Sequence, residues 1–88
     1  MIHMSLTPQK AYSILKSKFP EKVVKGCVEF PAFYGFYMVE KEFAQEKLIS
    51  TQFVDAVDKK TGKVFVYDIF SDMSAYRLAR NIDVRLLK

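Results

Sequence analysis

Gln52-Phe53-Val54-Asp55-Ala56-Val57, then Asp58-Lys59-Lys60-Thr61-Gly62, then Lys63-Val64-Phe65-Val66-Tyr67-Asp68-Ile69-Phe70 is the stretch whose reading decides the fold. Two runs rich in β-branched and aromatic residues flank a short polar segment. Asp58 suits the first position of a type I turn, because its carboxylate can accept backbone N–H groups. Gly62 suits the left-handed residue that closes such a loop. The reading is an antiparallel hairpin with strands over 52–57 and 63–70.

Upstream of the hairpin, residues 41–50 have helix-forming composition but are short and uncapped, so they read as a long hairpin loop with room for one helical turn. Phe33-Tyr34-Gly35-Phe36-Tyr37-Met38-Val39 reads as a strand, with Gly35 marking a bulge or a close backbone approach. Pro31 separates it from another strand over Val23–Phe30. At the start of the chain Thr7 is a good N-cap and Pro8 falls at the first helical position, where its missing N–H costs nothing. Leu6 is placed to staple onto the first turn. Ala11, Ile14, Leu15 and Phe19 follow at helical spacing, and Pro20 stops the helix near Lys18. Downstream, Ser71 or Asp72 caps a second helix that runs to about Asn81, with Met73, Tyr76 and Ala79 on one face. The tail, 84–88, is apolar enough to dock. The expected fold is a single α+β domain over residues 1–88. It is an antiparallel four-stranded meander sheet with an N-terminal and a C-terminal helix, in the order α-β-β-β-β-α.

Length and composition bound the rest. The 88 residues are 50% apolar and 15% aromatic, with eight Phe and five Tyr, which is a globular composition. The lone cysteine, Cys27, cannot form a disulfide within the chain; among Val and Phe it reads as a small buried hydrophobe. The one histidine, His3, stands in an N-terminal stretch expected to fray, so a Cys–His nucleophile is not expected. The net charge of +4 comes from Lys and Arg interleaved with Asp and Glu, a solubilising surface rather than a nucleic-acid patch. No run approaches 18 apolar residues and no signal peptide is evident, so the expected compartment is cytoplasmic, with no membrane partner. Met1 and Met4 are both possible native starts.

Catalytic, metal and cofactor sites are not expected. Gly26, Gly35 and Gly62 are isolated, so no phosphate loop is present, and no Cys or His pair has metal spacing. Asp55, Asp58 and Asp68 could meet across the hairpin, but Asp58 is explained by its turn. Tyr34-Gly35-Phe36 faintly resembles the aromatic strand of RNA-recognition sheets, yet Ala32-Phe33 stands where a basic–Gly pair belongs. The reading is not an enzyme, with core or interface roles favoured for these rings over base stacking and no small-molecule ligand evident.

What the strands offer is rings on both faces. Phe33 and Tyr37 point one way while Tyr34, Phe36 and Met38 point the other; Phe65, Tyr67 and Ile69 oppose Val64, Val66 and Phe70. Four strands make a face of roughly 350 Å². One helix about 16 Å long covers roughly half of it. One sheet face is therefore expected to be under-covered and aromatic, meeting a partner protein or a second copy as a homodimer. The alternative is that the helices split between the faces and the 41–50 loop covers the remainder. The candidate interface residues are Phe33, Tyr34, Phe36, Tyr37, Phe65 and Tyr67. A one-residue change of register would invert which of them face the core.

Thr7-Pro8-Gln9-Lys10-Ala11, Phe19-Pro20, the run Val54-Asp55-Ala56-Val57-Asp58-Lys59-Lys60-Thr61-Gly62-Lys63-Val64, and Asp72-Met73 together resemble a group of small uncharacterised proteins of tailed bacteriophages and prophages. The Asp-Lys-Lys-Thr-Gly-Lys turn is also similar to a hairpin of PepSY-type domains, where it is not a site. The sequence departs from the phage pattern at Tyr67–Asp72, where a Pro-containing segment is common. The resemblance implies an N-terminal helix, strands joined by this turn, and a C-terminal helix. It carries no activity. Members tend to be encoded near virion structural genes, which implies an accessory role in virion assembly through protein–protein contacts. The other readings are a small regulator or inhibitor of a host or phage enzyme, and direct nucleic-acid binding.

Overall fold

The computed structural model describes residues 5–43, 53–71 and 77–87. The first element is α1 (Pro8–Lys18). Thr7 is extended, and its hydroxyl accepts the Lys10 N–H at 3.2 Å, satisfying one of the orphan donors of the first turn. The helix closes with the Phe19 N–H on the Leu15 carbonyl, and Lys16 and Lys18 complement the negative end of its dipole. Ala11 and Leu15 form its buried stripe.

The sheet contains β1 (Lys22–Glu29), β2 (Phe33–Glu40), β3 (Phe53–Asp58), β4 (Val64–Asp68) and β5 (Arg80–Ile82). Its order is β4-β3-β2-β1-β5, and every neighbouring pair is antiparallel. The four-stranded meander is as expected, and so is its turn. The Asp58 carboxylate accepts the N–H groups of Lys60 (2.8 Å) and Thr61 (2.9 Å), and Gly62 takes φ +75°. Leu6 ties the start of α1 to this turn through its N–H on the Lys59 carbonyl at 2.7 Å.

The C-terminal helix is corrected in part. Residues 72–76 lie outside the described residues, but Arg80 and Asn81, read as the end of that helix, belong with Ile82 to a fifth strand against β1. Register gives the reason: Ile82 sits opposite Cys27 and Arg80 opposite Glu29, an apolar contact and an ion pair. Helix propensity is a weak preference that such tertiary pairing overrides. Asp83 then caps a short 3₁₀ turn, Val84–Leu86, and Leu87 docks into the core. The fold is thus α+β, with one α-helix and a five-stranded antiparallel sheet among the described residues.

Gly35 takes the second of its two expected roles. A Cβ there would stand 2.9 Å from Val54 Cγ2 and 3.1 Å from Phe30 Cε2, so glycine allows the close approach. The bulge is elsewhere, at Lys25, between Val24 and Gly26 of β1. In the 41–50 loop, Lys41–Phe43 form one 3₁₀ turn, and the remainder lies outside the described residues. No helix among the described residues is long and apolar enough to cross a membrane.

Two apolar layers sandwich the sheet. On the α1 side Leu15, Val24, Cys27, Tyr34, Phe36 and Val57 form one cluster. On the other side Val28, Phe30, Val54 and Ile69 form a second, flanked by half-buried Phe33, Tyr37 and Tyr67.

Candidate interaction face

Register resolves the six candidate rings by parity. Tyr34 pairs with Val57 and Phe36 with Asp55, and both rings point at α1. Phe36 is fully buried, and Tyr34 nearly so, with its hydroxyl donating to the Leu6 carbonyl at 3.0 Å. These two are core. Phe33, Tyr37, Phe65 and Tyr67 stand on the opposite face and are half-buried.

On that face the rings form one array. Phe33 stacks on Phe30 with centroids 4.7 Å apart, meets Phe65 edge-on at 5.3 Å, and leans on Tyr67 at 4.7 Å. Phe30 closes the array edge-on to Tyr67 at 5.5 Å. Offset and edge-on pairs of this kind suit the ring quadrupole and stiffen the surface they form. The array belongs to β2, β4 and the β1–β2 turn, and it ends at the β4 edge. On the α1 side of the same edge, Val66 is 68% exposed and Phe53 is 54% exposed. They are diagonal neighbours, since Phe53 pairs with Asp68 and Val66 with Asp55.

The polar groups have structural work. Glu29 lies on the α1-side parity of β1, where a carboxylate needs cations. It receives Lys59 Nζ at 2.8 Å and Arg80 Nη2 at 2.6 Å. The hydrogen bond from Lys59 holds its carboxyl below the usual range, against a smaller effect of burial, and Arg80 adds to the lowering. Lys59 also sits 4.9 Å over the Tyr34 ring. Burial, with a smaller push from Glu29, raises the Cys27 thiol to about 12, so it is a protonated core atom at neutral pH. His3 lies outside the described residues. A cleft of about 830 Å³ at the C-terminal end of α1 is lined by charges of both signs, including the Lys22–Glu40 pair and Lys16, whose Nζ donates to the Lys22 carbonyl. Across the hairpin Asp55 faces Val66 and Asp68 faces Phe53, so these two carboxylates do not sit opposite one another. No group of three His, Cys, Asp or Glu at metal-binding distance occurs among the described residues.

The sequence reading missed the Glu29–Lys59–Arg80 cluster. Its signal was present: Cys27 and Glu29 share a strand parity, which puts a carboxylate on the core side. Its partners come from 30 and 51 residues away and could not be named without the fold. No family model, curated protein or solved structure matches the chain.

Proposed function

We propose that this chain works by protein–protein contact and has no catalytic step of its own, serving as an accessory factor in the virion assembly of a tailed phage or prophage. The observation that carries the contact reading is the ring array of Phe33, Phe65 and Tyr67, which runs to the β4 edge, where Val66 and Phe53 are exposed on the opposite, α1 side. Aromatic surface beside a sheet edge is the composition of interface centres, and the one α-helix among the described residues packs on the opposite face of the sheet. The assembly context rests on the resemblance of the N-terminal helix start and the Asp58–Lys63 turn to phage proteins.

The test is capture of partners by the tagged protein from its native lysate, with nuclease added and recovery read by mass spectrometry. Recovery of capsid, scaffold, portal or tail proteins, lost in Phe65→Ala, is the expected result. Recovery of a host enzyme or polymerase instead would move the protein to regulation. Normal particle yield and morphology from a phage lacking the gene would overturn the assembly role.

A further inference from the structure

Along the sequence the lysines and carboxylates interleave, but the fold separates them. Helix α1 carries Lys10, Lys16 and Lys18 and no carboxylate. The turn over 58–62 adds Lys59 and Lys60 and one carboxylate, Asp58. Together these two segments hold the chain's whole net charge of +4, and the charges of all other residues cancel.

The two segments form one surface. The Leu6 N–H donates to the Lys59 carbonyl at 2.7 Å, and Gly62 lies so near Ile14 that an added Cβ would stand 3.3 Å from its Cδ1. Ile14 stands on the helix ridge between Lys10 and Lys18, one turn from each. Part of the charge is engaged within the fold. The Asp58 carboxylate accepts the Lys60 and Thr61 N–H groups, Lys59 is paired with Glu29, and Lys16 Nζ donates to the Lys22 carbonyl. Lys10, Lys18 and Lys60 are exposed, and no ion pair among the described residues involves them.

The neighbouring side chains decide which anion fits. The other exposed residues of α1 are Gln9, Ser13 and Ser17, so its outer face has no exposed apolar residue. A protein interface needs a desolvated apolar centre, which this face lacks. Single-stranded nucleic acid needs rings on which its bases stack, and Tyr12, the one ring of α1, packs half-buried against the core. Lysine, serine and glutamine are side chains that contact phosphate oxygens. Lys10 and Lys18 are separated by about 12 Å along the helix axis, which is about the width of the major groove between its two phosphate backbones.

We infer that the outer face of α1 and the adjoining turn bind the phosphate backbone of a nucleic-acid duplex without reading its sequence, through Lys10, Lys18 and Lys60. This face lies across the sheet from the ring array, so the inference stands apart from the contact reading. Each neutralised phosphate releases counterions, and three such contacts make the affinity fall about 40-fold between about 50 mM and about 200 mM salt.

Fluorescence anisotropy of a labelled DNA duplex of about 20 base pairs and arbitrary sequence, titrated with the full chain, tests this. A dissociation constant on the order of 10 μM at about 50 mM salt is expected, with the same value for a second, unrelated sequence. Lys10→Gln and Lys18→Gln combined should weaken binding at least about tenfold at that salt and lower the slope of log affinity against log salt by about 2. Lys63→Gln also removes a positive charge, but Lys63 shares the strand parity of Phe65 and belongs to the ring face, so the slope should not change. All three positions are exposed, so the variants keep the fold, which circular dichroism checks. Absence of binding at about 50 mM salt and about 100 μM protein overturns the inference. So does an equal loss of slope per charge from Lys63→Gln, which would make the attraction a property of the whole molecule. A duplex carries a charge every ~1.7 Å of its axis and polyglutamate one every ~3.5 Å, so the duplex should hold against polyglutamate of equal total charge. Displacement by polyglutamate would assign the face to an acidic protein instead and overturn the duplex reading.

Discussion

Glu29 ties three distant parts of the chain together: its own strand, the turn after β3 through Lys59, and β5 through Arg80. Lys59 and then Arg80 hold its folded-state pKa below the unfolded value, so the folded chain binds fewer protons here. The stability this contributes is fully present above the unfolded carboxyl pKa of about 4.3 and is lost as pH falls through the folded value. Glu29→Gln should therefore cost about 1 kcal/mol at pH 7, a magnitude suited to a hydrogen-bonded pair that is only partly buried. The difference from wild type should shrink as the pH drops below about 4. Urea unfolding of both proteins from neutral to acid pH measures it, and a pH-independent difference would contradict the assignment. Gly35 gives a second test. Its added Cβ would meet Val54 Cγ2 at 2.9 Å, and Val54 is β-branched and buried, so it cannot swing away. Gly35→Ala should destabilise by about 1–3 kcal/mol, the usual cost of overpacking. Thermal unfolding should register this as a fall of about 4–8 °C per kcal/mol.

At the scale of elements, what could be read from sequence was what local chemistry determines. The Asp58–Gly62 turn is legible because a carboxylate and a glycine each have one geometric job there. Helix α1 is legible because Thr7, Pro8 and Pro20 mark its ends. Its contribution can be measured: Leu15 is fully buried under the sheet, so Leu15→Ala should cost about 2–5 kcal/mol, read by denaturant midpoint. Strand β5 was not legible. Arg80-Asn81-Ile82 has no alternating pattern long enough to register, and it becomes a strand only because Glu29 and Cys27 wait opposite it. Whether Gly35 marks a bulge or a close approach stays open in the sequence for a related reason, and the bulge itself falls at Lys25, beside Gly26. Gly35 and Gly26 look alike in sequence, and only the packing of Val54 and Phe30 against Gly35 tells them apart. Alternation within each strand separates Phe33 and Tyr37 from Tyr34 and Phe36 and keeps Phe65 with Tyr67, but which of them share a face, and which face meets α1, depends on register, a property of strand pairing rather than of either strand.

At the scale of the whole molecule, that division of the rings makes a prediction in which chemistry is constant and only the face changes. Phe36 on β2 and Phe65 on β4 are separated only by β3 in the same meander, yet Phe36 is sealed between the sheet and α1 whereas Phe65 is half-buried at the rim of the ring array. Phe36→Ala empties the centre of the main core and should cost about 3–5 kcal/mol. A domain of this size has about 5–10 kcal/mol of stability in total, so this variant should be close to unfolded at physiological temperature. Phe65→Ala removes one edge-on contact to Phe33 and leaves no sealed cavity, so its cost should be about 1–2 kcal/mol, with the fold retained. If the face away from α1 is the working surface, Phe65→Ala should lose partner capture while keeping its circular dichroism spectrum. A variant of Tyr12, half-buried on the helix side, should keep both. The opposite pattern, with capture surviving Phe65→Ala and failing on the α1 side, would put the contact surface on the helix and leave the ring array as a second core.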